Sequence, residues 1–491
     1  MAQTCILCTP KVIKMFKQLV SLLLLASTCY SADTDGTYFI TSFNHFRVDN
    51  PNDYAIDLTL VPIGTEKLRA SVKSWSIKDR AVKYVTIDVL PNQINSVGLL
   101  FSDVVNDQVQ YTGRVATVPE PRVIINSTAP IKVIAKLFNT KTGSGDMWMV
   151  PDFKMFASEY VIRLPVSKDG SAQMISMMTD ETTDMKLNVK EFIGGKLQQE
   201  SDFISYAQYG TTQTSIISAG DDLERTFLVT APRPIYVVAV STCIDIFANS
   251  GDQTMHTYDK CDYGAFHPLH IINFNCGTTF HGVSDLRMTN TYFSKSIFVS
   301  PSKIQCGSQN QTPILKFNDA FPNGQQLNIT TDASTRYDIN SVIYTEFGIE
   351  ADHVITPWAR LGGMRKPGND KNSLSSAFLT GVPETTQYIT GLTSFITHTS
   401  TGYLEVYGDK NVNAKEFLID GQSVDKSLIN QIPIKFFSGN YSSFIINIPK
   451  GGLHTFTSRG NYIAYAVGTF VDGQDYGFGY ITGYNWSNLI W

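Results

Sequence analysis

Residues 125–135 read I-N-S-T-A-P-I-K-V-I-A, and residues 229–239 read V-T-A-P-R-P-I-Y-V-V-A. Laid over each other without gaps, Pro130 falls on Pro234, Ile131 on Ile235, Val133 on Val237 and Ala135 on Ala239. Proline fixes φ and has no N–H to give a ladder, so it suits the first residue of a strand. The run after it alternates, with Ile131, Val133 and Ala135 on one face. Each copy therefore predicts a hairpin-like element: strand, polar turn, proline-started strand. Ser-Gly-Asp follows both, at Ser144-Gly145-Asp146 and Ser250-Gly251-Asp252. Residues 456–464, F-T-S-R-G-N-Y-I-A, mimic the element with Asn461 in the proline position, and Asp475-Tyr476-Gly477 stands where the landmark would be. A weaker copy is expected within residues 329–348.

Working outward, the chain shows short alternating runs separated by Gly, Pro, Asn and Asp. Ile56, Leu58 and Leu60 form one such run; Val85, Ile87 and Val89 form another. The order restarts: Glu159-Tyr160-Val161-Ile162 resembles Thr37-Tyr38-Phe39-Ile40, 122 residues on. Thr278-Thr279-Phe280 and Thr393-Ser394-Phe395-Ile396 are expected to open a third and a fourth unit. The predicted fold is all-β, internally repeated and β-propeller-like, with two blades per unit and about seven or eight in all. Tandem β-sandwiches, one per unit, are the alternative. The expected division is residues 1–31 as a leader and 32–491 as one repetitive domain, with halves at 32–245 and 246–491.

Lys11, Lys14 and Lys17 precede the apolar run at residues 19–26, and small residues follow. This is the pattern of a signal peptide cleaved after Ser31, with Met15 an alternative start, and it predicts secretion. The run is well short of the roughly 20 residues a membrane span needs. Beyond residue 31 there remain 36 basic and 44 acidic residues, a formal charge of −8. No dense basic run survives, which argues against nucleic acid as a partner. Four cysteines remain, Cys243, Cys261, Cys276 and Cys306. In a secreted chain an even number reads as disulfides, with three connectivities open. Nearest-neighbour pairing, Cys243–Cys261 and Cys276–Cys306, closes two modest loops and is the expected one. Asn126, Asn310, Asn328, Asn440 and Asn485 each begin an N-x-S/T sequon and are candidate glycan sites.

Chemistry is sparse. His256, His267, His270 and His281 lie among the four cysteines, but Pro268 argues against a helix that would bring His267 and His270 together, and no C-x-x-C occurs. No metal or other cofactor is expected. Asp146 and Asp252 read as turn residues satisfying their own backbone, and the acidic run at residues 180–184 as a solvated loop. G-x-S-x-G, P-loop and H-E-x-x-H motifs are absent. Tyr476, Phe478 and Tyr480, at spacing two, would share one strand face and form a candidate binding platform, against the alternative that they pack on the core.

The turn followed by Pro130-Ile131-Lys132-Val133 and Pro234-Ile235-Tyr236-Val237, then Cys243, Cys261-Asp262 and Cys276-Gly277-Thr278-Thr279-Phe280, resembles the N-terminal domain of the IgG Fc-binding protein family. The resemblance spans roughly residues 36–483. It implies an extracellular, mucus-associated, non-enzymatic binding role and supplies no catalytic residues. The expected function is thus a secreted binding or structural protein of the extracellular surface, mucus or matrix, with a defence role among the options. Its expected partner is an extracellular protein or a mucin-like glycan. The alternative is a secreted carbohydrate-active hydrolase with acids in a central cleft.

Overall fold

The computed structural model describes residues 32–486 except 47, 49, 106, 108, 110, 113, 168–170, 220–222, 224, 246–260, 272–283, 301–313, 318–324, 327–333, 340–345, 352–356, 366–373 and 474–475. The expectation of an all-β, internally repeated chain holds. Four units follow one another. Where the proline repeat predicts a hairpin-like strand, turn and strand, the first, second and fourth units carry one continuous long strand that is bulged, not turned, at the proline position, and in the third unit two strands share that place.

In the first unit the strands are β1 (Gly36–Thr41), β2 (Tyr54–Pro62), β3 (Leu68–Ser76), β4 (Ala81–Val89) and β5 (Asn95–Leu99). A small hairpin, β6 (Tyr111–Thr112) and β7 (Val115–Val118), leads to the long β8 (Val123–Asn139) and then β9 (Gly145–Val150). All ladders are antiparallel. The first half of β8 pairs with β1 on one side and β3 on the other, giving the order β4-β3-β8-β1. Its second half pairs with β2 and β9, giving β5-β2-β8-β9. One strand thus serves two curled sheets. The handover lies between Ser127, the last residue paired to β3, and Ile131, the first paired to β2. Pro130 sits in that gap, where a missing N–H costs no ladder bond.

The second unit repeats this with β10 (Ala157–Arg163), β11 (Ala172–Met178), β12 (Met185–Ile193), β13 (Lys196–Ser205), β14 (Gln213–Ala219), the long β15 (Arg225–Asp245) and β16 (Cys261–Phe266). The two sheets are β13-β12-β15-β10 and β14-β11-β15-β16, and β7 joins the outer edge of β14. Thr230 is the last residue paired to β10 before a bulge, and Ile235 the next. Pro234 therefore occupies the position of Pro130. Cys243 and Cys261 are bonded, with Cα atoms 4.9 Å apart, and staple β15 to β16. A division at residue 245 would separate this last strand from its own unit. Cys276 and Cys306 lie outside the described residues.

The third unit comprises β17 (Asp285–Asn290), β18 (Ser294–Val299), β19 (Ile314–Phe317), β20 (Gln325–Gln326), β21 (Thr335–Asp338), β22 (Glu346–Ala351), β23 (Trp358–Arg365) and β24 (Leu374–Val382). Here β22 and β23 divide the work of the long strand, in the orders β20-β19-β22-β17 and β21-β18-β23-β24. Pro357 immediately precedes β23. The third copy of the repeat is therefore at residues 346–365, which corrects the expected 329–348. Thr278-Thr279-Phe280 lies outside the described residues; the first described strand of this unit is β17.

The fourth unit has β25 (Ile389–Thr397), β26 (Gly402–Asp409), β27 (Leu418–Ile419), β28 (Gln422–Ser423), β29 (Ile429–Ile434), β30 (Tyr441–Ile448), β31 (Gly452–Thr469) and β32 (Gly477–Ile481). Its first strand contains Thr393 to Ile396, as expected. Around the bulge Ser458 pairs with Gly391 and Tyr462 with Ile389, so Asn461 does hold the proline position.

One register differs from the sequence reading. Gly36 pairs with Ile131, and Ala157 with the equivalent Ile235. The first strands are thus related by 121 residues, and Tyr38 matches Glu159 rather than Tyr160. A slip of one exchanges the two faces of a strand, and both strands carry apolar residues on each face, which hid the slip.

The last strands of the units, β9, β16, β24 and β32, pack against one another in a cycle, each touching the next and β32 touching β9. Units of two curled sheets thus stand around a shared axis, joining the propeller-like ring to the sandwich-like unit. Close approach there depends on glycine: a Cβ on Gly264 would lie 2.8 Å from the Leu379 side chain, and one on Gly479 2.5 Å from Phe378. The ring is closed by contacts between residues 33–35 and 482–486. The Thr34 N–H donates to the Tyr484 carbonyl at 3.2 Å, and the Trp486 N–H to Asp33 Oδ2 at 2.9 Å. Lys132, 1% exposed, donates to Asp35 Oδ1 at 2.8 Å and to the Thr482 carbonyl.

Removing one partner of a buried ion pair leaves the other charge unpaired in a poor solvent. Lys132→Met is expected to lower unfolding free energy by about 3–5 kcal/mol, read by urea denaturation. Adding Asp35→Asn should recover part of the loss, because burial already raises the Asp35 pKa and Lys132 is what opposes it.

Candidate functional site

Among the described residues, two of the places that bring chemistry-bearing side chains together are the axis and the outer junction of the first two units. At the axis, Asp146 lies on β9 and Asp262 on β16, both 0% exposed. Asp146 Oδ2 accepts from the Ala265 N–H at 3.0 Å and the Leu379 N–H at 3.1 Å, and its Oδ1 from the Met147 N–H at 2.8 Å. Asp262 Oδ1 accepts from the Gly145 N–H at 2.9 Å, the Tyr263 N–H at 2.9 Å and the Ser144 hydroxyl at 3.1 Å. Its Oδ2 accepts from the Ala377 N–H at 3.0 Å. Three of the four innermost strands are thus tied by two carboxylates. Burial pushes the Asp146 carboxyl well above the usual range and that of Asp262 up to about 7; their hydrogen bonds offset this only in part.

This corrects the reading of Asp146 as a turn residue. It bonds its own following N–H, as such a residue does, but it sits within a strand and its other oxygen crosses to two further units. Asp252 lies outside the described residues. Beyond the two aspartates the axis holds a cavity of about 20 Å³, lined by Trp148, His267, Thr380, Tyr480 and Tyr484 among others. That is room for about one water.

His267 and His270 are core residues. His267 Nε2 lies 3.3 Å from Thr41 Oγ1, and His270 stacks on Trp486 at 4.5 Å. Burial lowers their pKa values to about 3 and about 4. Among the described residues no group of three or more His, Cys, Asp or Glu side chains is placed to hold a metal ion. His256 and His281 lie outside those residues. The C-terminal aromatics do not form an exposed platform. Phe478 and Tyr480 are buried, and Tyr476 is half-buried against the core. Spacing two did put them on one side, but that side faces inward: Phe478 packs on Phe470 at 5.0 Å, and the Tyr480 hydroxyl donates to the Ile396 carbonyl.

The exposed rings are elsewhere. The outer face of the β3–β4 hairpin carries cross-strand pairs Lys73–Tyr84 and Trp75–Val82, with Tyr84 67% exposed. A loop of the second unit leans over this face. The Lys73 ammonium lies 3.9 Å from the centre of the Tyr209 ring and 6.0 Å from that of Tyr84, and it bonds Glu181. Gly210, at φ +86°, lies against Trp75; a Cβ there would be 2.9 Å from the indole. Tyr206 adds a partly exposed ring.

A buried ion pair positions that loop. Arg122 and Glu120 are both inaccessible and bonded at 2.6 Å. Arg122 also donates to the carbonyls of Thr179, Asp180, Ala207 and Gln208. The Tyr209 hydroxyl donates to the Arg122 carbonyl at 2.8 Å, and the Gly210 N–H to Glu120 Oε2 at 3.0 Å. The arrangement can stack a ring or a sugar face against tyrosine and indole, and can donate and accept beside it through Lys73 and Glu181. Neither Glu120 nor Arg122 was singled out in the sequence. The only signal was two opposite charges flanking Pro121 before an apolar strand.

No helix among the described residues is long and apolar enough to cross a membrane. In comparisons with known proteins, the chain matches no family profile and no curated protein.

Two opposed pH effects follow. An acid with a raised folded pKa contributes most stability below its unfolded value and loses it as pH rises to the folded value. Asp262 therefore destabilises progressively from about pH 4 to about 7. His45, His267 and His270, all held near 3 or 4 by burial, act the other way: their stabilisation is lost as pH falls below about 6.5. The carboxylate is thus read as a difference. Asp262→Asn, which keeps one acceptor but loses the other, should cost more stability at pH 5 than at pH 8, measured by urea midpoints of both proteins. An equal cost at both values would show that Asp262 is charged throughout.

Proposed function

We propose that the chain is a secreted, non-enzymatic binding or structural protein of the extracellular surface, mucus or matrix. It takes an extracellular protein or a mucin-like glycan as partner, and host defence is one setting in which it would serve. The leader-like residues 1–31, the sequons and the resemblance to the IgG Fc-binding N-terminal domain family support this reading. The observation that carries it is a contrast in exposure. The two acids that converge at the axis are sealed by backbone donors, whereas accessible aromatic rings gather at the junction of the first two units.

The rival reading, a carbohydrate-active hydrolase, needs paired acids that reach a sugar and a water. Asp146 and Asp262 have the pairing and lack the access. Rings at an accessible surface suit recognition, since tyrosine and tryptophan give large contact area at low entropic cost.

The test uses the secreted, disulfide-intact protein on arrayed glycans and crude mucus, scoring retention and glycan cleavage together. Retention without cleavage is expected. Tyr84→Ala and Trp75→Ala should each weaken retention by about tenfold, the scale on which single aromatic anchors act. Cleavage that survives both substitutions would overturn the reading.

A further inference from the structure

We infer that Asn126 carries an N-linked glycan whose first sugar lies across the ring of Tyr38, so that the glycan forms part of the outer wall of the first unit. This rests on the proposed secretion of the chain.

The structure separates the sequons. Asn485 has both ends of its amide committed: Oδ1 accepts from the Asp33 N–H at 3.1 Å and Nδ2 donates to the Tyr388 carbonyl at 3.0 Å. Asn440 is exposed at the end of a short helical turn. Asn310 and Asn328 lie outside the described residues. Asn126 is unlike these. It sits in the middle of a sheet, paired to Tyr38 on β1 and to Ser71 on β3, yet its side chain is exposed. Its amide has no hydrogen-bond partner among the described residues. Asparagine is disfavoured in strands because its amide competes for backbone bonds. The second and fourth units use hydroxyl residues at the same place, Thr230 and Ser458. A free, outward amide at a central ladder position gains nothing for the sheet.

The neighbours suit a sugar. Directly opposed residues of an antiparallel pair have Cβ atoms about 4.5–5.5 Å apart. That is within reach of a pyranose on the amide folding back onto the Tyr38 ring, whose face takes the sugar's C–H groups. Tyr38 is held edge-on to the partly exposed Phe153 at 6.1 Å. On the other flank the row continues through Ser71 and Thr86, which leave room above the sheet and offer hydroxyls.

The experiment expresses the chain with its own leader in a glycosylating secretory cell. Site occupancy is read by peptide mass spectrometry, and thermal midpoints are taken before and after an endoglycosidase that leaves one sugar. Three results are expected. Asn126 is occupied; trimming to one sugar leaves the midpoint unchanged; and Asn126→Gln lowers it by about 2 °C in the parent but not in a Tyr38→Ala background. A secreted chain with Asn126 bare, or the same Asn126→Gln effect in both backgrounds, overturns the inference and leaves secretion standing. A chain kept in the cytosol with residues 1–31 uncleaved overturns both.

Discussion

The fold turns on a bond that proline cannot make. In the first, second and fourth units one strand belongs to two sheets that curl away from each other, so somewhere along it the ladder partners change. At that point a donor would face neither sheet. Pro130 and Pro234 stand there with no donor to lose, and Pro357 enters the second segment of the third unit in the same way. In the fourth unit Asn461 takes the place, its side chain donating to Asp409 at 3.0 Å. A buried polar backbone group left unpaired is costly, so the position of the handover is fixed by where that cost can be avoided.

The same accounting explains the axis. Each unit ends in a strand that is the edge of its own sheet, and these edges face one another rather than the solvent. In a barrel such strands would pair and cancel their free donors. Here Asp146 and Asp262 supply the acceptors: the N–H groups of Gly145, Ala265, Ala377 and Leu379 all end on their oxygens. Burying two carboxylates is expensive, and the expense appears as their raised pKa values. Leaving several strand donors unmatched in the same apolar centre would be a comparable cost spread over three units. The acids that an enzyme would need at its centre are therefore already used to hold the centre together.

Much of this was legible in the sequence, and the limits are instructive. The proline repeat located the segment in two units, and the asparagine located it in the fourth, because the constraint at the handover is local and chemical; its polar residues read as a turn, whereas the strand runs through them with a bulge. The third copy was missed because its long strand is in two pieces, so no continuous alternation runs through Pro357. The first strands were misaligned by one because Phe39 and Ile40, like Tyr160 and Val161, are apolar in succession, and alternation cannot set a register where both faces are buried. Tyr476, Phe478 and Tyr480 carried a correct period but no sign of which side was inward. Asp146 followed a glycine and so looked like a turn; nothing within a few residues of it reveals that its partners are Ala265 and Leu379, more than a hundred residues away.

These constraints also indicate where function is free to arise. The inner strands cannot vary without breaking the ring, but the outer face of each hairpin is bound by no such condition, and the repeats have diverged there. In the second unit that face is a charged ladder, with Lys186 bonded to Asp202 at 2.7 Å and Asn188 to Glu200 at 3.0 Å. In the first it is Trp75, Tyr84 and Lys73, overlain by Tyr209. A solvated charge ladder is what a face needs merely to stay in water, and exposed ion pairs contribute little else. Tyr84, the most exposed of these rings, costs solubility and adds little to the core. At the position where Lys73 faces Tyr84 the second unit has Lys190 facing Glu200, so the ladder itself does not require the tyrosine.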